Sequence, residues 1–183
     1  TRKVADALHK ETGEFYKGVM YAGLIVTKNG VKLIEYNARF GDPEAMNVLP
    51  VMETGFVDVC SAIINQQLHK IKIKFKNKAT VCKYLVPKGY PGNPLKNEKI
   101  NVGKIPQNAK LYYASVEQKE NGLYTTGSRA IACLGIADNM EKAEKIAEEA
   151  TRSIKGKLFH RKDIGTRKLI EKRIRQMKMV LSK

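Results

Sequence analysis

The chain has 183 residues, of which 43% are hydrophobic and 28% charged, enough for one ordinary domain or two small ones with a buried core. No apolar run approaches the roughly 18 residues that would suggest a membrane span, and the start, Thr1-Arg2-Lys3-Val4, is not itself the apolar stretch of a secretory signal. Lys and Arg number 34 against 18 Asp and Glu, a formal charge of +16 that favours anionic partners of any class: nucleic acid, phosphorylated metabolites or nucleotides. Without an initiator Met, the chain is expected to begin inside a longer protein. Cys60, Cys82 and Cys133 are odd in number, far apart and in apolar surroundings, which suits reduced thiols of a cytoplasmic protein rather than a disulfide framework or zinc site.

In chain order, residues 2–12 carry a short helical pattern with Val4, Ala5 and Leu8 on one side and Gly13 as a stop. Two strand-length apolar runs, 19–26 and 31–37, flank Asn29-Gly30 and predict a hairpin. Asp42-Pro43 opens a helix with Asp42 as N-cap, carrying Met46, Val48 and Leu49 until Pro50 disturbs it. A second helix is predicted over 57–68, with Val59, Ile63 and Ile64 inward. Period-2 alternation over 71–76 predicts a strand with Lys72, Lys74 and Lys76 on one face. Further strands are predicted over 79–86, 111–116 and 130–136, and a shaped loop over 89–94. Asp138 or Asn139 caps an amphipathic helix bearing Ala143, Ile146, Ala147, Ala150 and Ile154, and a basic helix fills 166–181. His9, His69 and His160 lie in polar stretches and are predicted at the surface. The texture changes near 70–78, which divides the chain into residues 1–75 and a strand-rich 76–183.

The chemistry concentrates in Glu35-Tyr36-Asn37-Ala38-Arg39-Phe40-Gly41-Asp42-Pro43-Glu44, where polar groups interrupt an apolar strand as it ends. Glu35 and Asn37 are two apart and share a strand face, offering a carboxylate and an amide oxygen, hard ligands suited to magnesium that keeps water and phosphate oxygens elsewhere. Arg39 shares that face if the strand continues and can fork onto a phosphate or carboxylate; Asp42 and Glu44 add acids at a helix start. On spacing alone, a polar strand end leading into a helix accounts for the same residues.

Residues 16–24 (Tyr-Lys-Gly-Val-Met-Tyr-Ala-Gly-Leu) followed by Glu35 to Glu44 resemble the ATP-grasp core of the phosphoribosylamine–glycine ligases. Lys88-Gly89-Tyr90-Pro91-Gly92 resembles a loop of that family's C-terminal domain, Thr126-Gly127-Ser128-Arg129-Ala130 its Arg-containing strand, and Arg161-Lys162-Asp163-Ile164-Gly165 its terminal motif. The resemblance runs in order over residues 15–167. It implies an α+β chain: the C-terminal half of an ATP-grasp core, an antiparallel sheet flanked by helices, over 1–75, and a small β-rich C-terminal domain over 76–183. It implies a cytoplasmic ligase of purine biosynthesis that joins glycine to 5-phosphoribosylamine, through a glycyl phosphate, with ATP as co-substrate and Mg²⁺ or Mn²⁺ as cofactor. Glu35 and Asn37 would be its metal ligands, Arg39 would steady phosphate or carboxylate, and Asp42 and Glu44 would face substrate amino groups. Tyr36 departs from the family's usual Phe and Met46 from its frequent Gln. The glycine-rich lid that grips ATP phosphates has no counterpart here, so the missing N-terminal part of the same enzyme is an expected partner and this chain alone is expected to be inactive. A membrane partner is not expected, nor is nucleic acid on this reading. The alternative is a basic nucleic-acid-binding or non-catalytic interaction module, using the lysines of 72–76 and the terminal helix with Arg167, Lys168, Lys172, Arg173, Arg175, Lys178 and Lys183.

Overall fold

A computed structural model describes residues 1–182. Lys183, one of the cations assigned to the terminal helix, lies outside the described residues. The chain divides into two compact units, one of residues 1–45, 49–76 and the end from Gln176, the other of residues 46–48 and 77–175.

In the first unit, α1 (Arg2–Thr12) stops where Gly13 adopts φ 76° and returns its N–H to the His9 carbonyl. The hairpin forms as β1 (Tyr21–Thr27) and β2 (Gly30–Asn37), paired antiparallel. Thr27 pairs with Gly30, so Lys28-Asn29 make the tip and Gly30, at φ 92°, opens the return strand. Helix α2 (Glu44–Val48), of which residues 46–48 belong to the second unit, runs on into a 3₁₀ turn at Leu49–Val51 and is followed by α3 (Phe56–Ile64).

Three local expectations are corrected here. Helix α2 begins at Glu44 with Pro43, not Asp42, in the capping position and no side-chain cap. Helix α3 ends at Ile64, and its inner residues are Val59 and Ala62, while Ile64 is 64% exposed. Residues 71–76 alternate as a strand should, yet only Phe75 forms a bridge, to Met52, and no strand results. Alternation describes a half-buried face; it makes a strand only where a partner edge accepts the backbone.

The second unit holds β3 (Ala79–Pro87), β4 (Lys99–Val102), β5 (Ala109–Tyr113), β6 (Val116–Lys119), β7 (Gly122–Thr125), β8 (Ile131–Ala137), α4 (Met140–Arg152), β9 (Ile154–Lys155) and β10 (Leu158–Phe159). They form two four-stranded sheets, ordered β10-β3-β8-β5 and β6-β7-β4-β9. The run predicted as one strand over 111–116 breaks at Ala114-Ser115, whose N–H groups bond Ala130 and Arg129 carbonyls as the chain changes sheet. Residues 126–130, compared above to a strand, connect β7 to β8, with the Arg129 guanidinium 5.1 Å from the Tyr84 ring centre. Helix α5 (Arg167–Leu181) closes the chain.

Of the two caps considered for α4, Asn139 is the one used: its side-chain oxygen accepts from Lys142 N–H at 2.9 Å, while Asp138 pairs with Lys78. The inner face of α4 is Ala143, Ala147 and Ala150, all fully buried; Ile154 has left the helix for β9. That alanine stripe meets Gly135 on β8, where a Cβ would collide with the Ala143 carbonyl and the Ala147 nitrogen. Ile131, Cys133 and Leu134 complete the core, and burial pushes the Cys133 thiol up to about 12, so it stays protonated and inert.

The sequence does not announce Lys83, which is fully buried in the middle of β3. Its ammonium donates to Glu144 at 2.6 Å, Glu148 at 2.9 Å and the Lys162 carbonyl at 3.0 Å, which tethers strand, helix and the turn at 162–165 together. His160, predicted at the surface, is only 10% exposed and sits 2.9 Å from Glu148. Burial raises the Glu148 carboxyl, but hydrogen bonds from Lys83 and His160 outweigh it and hold the group at about 2.

Candidate functional site

The end of the hairpin builds the site. Gly23 pairs with Glu35 and Leu24 with Leu33, so Ile34 is an extra residue and β2 carries a bulge immediately before Glu35. The bulge resets which face the following side chains occupy. Glu35 and Asn37 project together, with the Asn37 amide donating to Glu35 Oε1 at 3.0 Å. Directly across the pair lies Gly23, where a Cβ would stand 3.2 Å from Glu35 Cγ. The absence of a side chain there gives the carboxylate its room.

Tyr21 pairs with Asn37 at the other end of the register, and its phenol donates to Glu44 Oε1 at 3.1 Å. The hydrogen bond to that carboxylate raises the Tyr21 phenol above its ordinary value; burial and the charges of Glu44 and Glu35 add to the shift. Gly41 is buried against Glu44, whose carboxylate occupies the space a Cβ would take. Glu35, Asn37 and Glu44 are thus gathered around Tyr21.

The other two nominated residues are placed differently. Strand β2 ends at Asn37, so strand alternation does not carry to Arg39. The Arg39 guanidinium is exposed and donates to the Phe40 carbonyl at 2.9 Å. Asp42 is exposed in the turn before α2. Tyr21 and Gly23 are the residues that a reading of the motif alone overlooks; the signal for them is the hairpin register, which sets them opposite Asn37 and Glu35.

The donor set can be judged from its chemistry. A carboxylate and an amide on one strand face, 3.0 Å apart, supply two hard oxygen ligands, since turning the amide about Cβ–Cγ exchanges its nitrogen for oxygen without moving the backbone. Among the described residues, no group of three or more His, Cys, Asp or Glu is placed to hold a metal. Two protein ligands fit a magnesium-like ion that keeps water or phosphate oxygens in its remaining positions, and do not fit a closed structural site.

Comparison with known proteins agrees with this architecture. The family model for the phosphoribosylglycinamide synthetase ATP-grasp (A) domain matches residues 1–45, and that for the C domain of the same synthetase matches residues 80–167. The phosphoribosylamine–glycine ligase of Methanosarcina acetivorans is 55% identical over 172 residues, 94% of this chain and 39% of the relative. That of Methanocaldococcus jannaschii is 55% identical over 178 residues, 96% of this chain and 40% of the relative. The crystal structure of the phosphoribosylamine–glycine ligase from Thermotoga maritima superposes with a TM-score of 0.63 at 26% identity, over 79% of this chain and 36% of that one.

The class is therefore an ATP-grasp protein, represented here by part of its A domain joined to a C domain. More narrowly, the chain belongs to the phosphoribosylamine–glycine ligase family, with the α+β fold of its C-terminal region. It spans about two fifths of the length of the curated relatives it matches.

Proposed function

We propose that this chain is the C-terminal portion of an enzyme that joins glycine to 5-phosphoribosylamine, giving glycinamide ribonucleotide, ADP and phosphate in purine biosynthesis. The observation that carries the reading is the Glu35–Asn37 pair on one face of β2, in a chain 55% identical to ligases of that name. Residues 1–75 would be the C-terminal part of the ATP-grasp domain and 76–183 the C domain. The protein would work in the cytoplasm; among the described residues no helix is long and apolar enough to cross a membrane.

Glu35 and Asn37 would hold Mg²⁺ or Mn²⁺, which supplies positive charge beside the phosphates of ATP. A glycine carboxylate oxygen attacks the γ-phosphorus and ADP leaves, giving glycyl phosphate. The phosphoribosylamine nitrogen then attacks the acyl carbon and phosphate departs carrying that glycine oxygen. Arg39, whose guanidinium is exposed, would turn from the Phe40 carbonyl to an anionic substrate group. Glu44, oriented by Tyr21, and Asp42 would receive substrate amino groups. The rest of the enzyme, outside this chain, would complete the ATP site.

The test is ADP release by the protein at its full natural length and by the 183-residue chain alone. Release is expected only from the full-length protein and only with glycine and phosphoribosylamine both present. Glycine labelled with ¹⁸O in its carboxylate should pass one label into the phosphate. Full-length protein that hydrolyses or ligates without regard to glycine would overturn the reading.

A further inference from the structure

The excess positive charge is not spread evenly, and the ligase reading leaves most of it without a role. Residues 152–183 contain twelve Lys and Arg but only Asp163 and Glu171 as acids. The match to the C domain ends at residue 167, where α5 begins.

Helix α5 sorts its residues by face. At 3.6 residues per turn, Lys168, Lys172, Arg175 and Lys178 fall within an arc of about 120°. All four are exposed, and among the described residues none has an acidic partner; the helix's one acid, Glu171, is taken by Arg167 at 2.8 Å. Leu169, Ile170, Met177 and Val180 fall in a separate arc of about 100° and are half-buried. From Lys168 to Lys178 the cations extend over about 15 Å of helix, with steps of about 4.5–6 Å.

We infer that the exposed face of α5 is a docking surface for a nucleic-acid backbone, contacted through Lys168, Lys172, Arg175 and Lys178. The geometry favours this partner over an anionic membrane. A helix that lies in a membrane surface inserts its apolar face, and here four members of that face are already half-buried in the protein. Ile174, Met179 and Leu181 are exposed as well, Met179 within the cationic arc, but the four cations have no acidic partner among the described residues, and phosphodiesters satisfy them without any insertion. Stacking on unpaired bases is not expected, since no aromatic residue lies on the helix. The inference stands apart from the ligase reading and does not rest on it.

The test is fluorescence anisotropy of a labelled 20-base-pair duplex with the full-length protein, from about 50 to 200 mM salt. Binding should be micromolar at low salt, with log K falling against log salt at a slope of about −3.6, the value for four phosphate contacts. The triple variant Lys168→Glu, Lys172→Glu, Arg175→Glu should bind at least tenfold more weakly, with a slope near −1. The variant Lys96→Glu, Lys104→Glu, Lys110→Glu changes net charge equally at exposed sites off the helix and should bind like wild type. Circular dichroism melting is the check that both variants fold. Equal losses in the two variants would overturn the inference, because net charge and not this face would then be responsible. So would unchanged binding in the helix variant, or binding to phosphatidylserine vesicles with none to the duplex.

Discussion

Tyr21 and Gly23 lie across the strand pair from Asn37 and Glu35, so changes at these residues separate positioning from stability. Tyr21→Phe deletes one hydrogen bond to a carboxylate, worth about 1.5–3 kcal/mol where the charge is oriented by it. If Glu44 serves the substrate amine, kcat/KM for phosphoribosylamine should fall about tenfold in the full-length enzyme, with the melting temperature within a few degrees of wild type. Unchanged kcat/KM would remove Glu44 from the site. Gly23→Val presses a branched side chain against Glu35 Cγ, which the Cβ alone would approach to 3.2 Å, and should raise the metal concentration needed for half-maximal activity, with less effect on the KM for glycine. The residue types of the site are legible in the sequence because a carboxylate and an amide are out of place at the end of an apolar strand. Their supports are not, because Tyr21 and Gly23 become relevant only once the register is fixed, and the bulge at Ile34 moves that register by one.

Within the second unit, the contact of α4 with β3 and β8 depends on two devices that can be tested separately. Lys83→Ala would leave Glu144 and Glu148, only 15% and 14% exposed, without their shared cation. A loss of about 3–5 kcal/mol in urea unfolding is expected, whereas truncating an exposed lysine such as Lys96 should change little. The pH dependence follows from Glu148. Its folded value, about 2, lies below the ordinary 4.5, so its contribution is complete above about 4.5 and is lost as pH falls through about 2. Glu148→Gln should therefore flatten the acid limb of the stability profile between those values; an unaltered limb would contradict the network. Gly135→Val drives a side chain into the α4 backbone and should cost at least about 1–3 kcal/mol. At this scale the long elements were legible from periodicity and caps: the hairpin, α4 with its cap narrowed to Asp138 or Asn139, and α5. The short strands β4, β6, β7, β9 and β10 were not, since two to four residues carry too little pattern, and several are bounded by lysines and glycines that read equally as loop. Lys83 illustrates the opposite limit: a lysine inside an apolar strand is interpretable only when the glutamates that meet it, 61 and 65 residues later, are in place.

For the whole molecule, the family and the α+β class follow from motifs arranged in order, and comparison bears both out. The role of the metal strand is the claim on which the proposed chemistry turns. It is tested most directly by Mn²⁺ titration of the full-length protein, followed by electron paramagnetic resonance, in wild type, Glu35→Ala and Asn37→Ala. Glu35 is exposed, so its loss should leave the fold intact while weakening Mn²⁺ binding at least tenfold and abolishing ADP release; Asn37→Ala should weaken binding to a smaller degree. A Glu35→Ala protein that binds Mn²⁺ and releases ADP as wild type does would contradict the account.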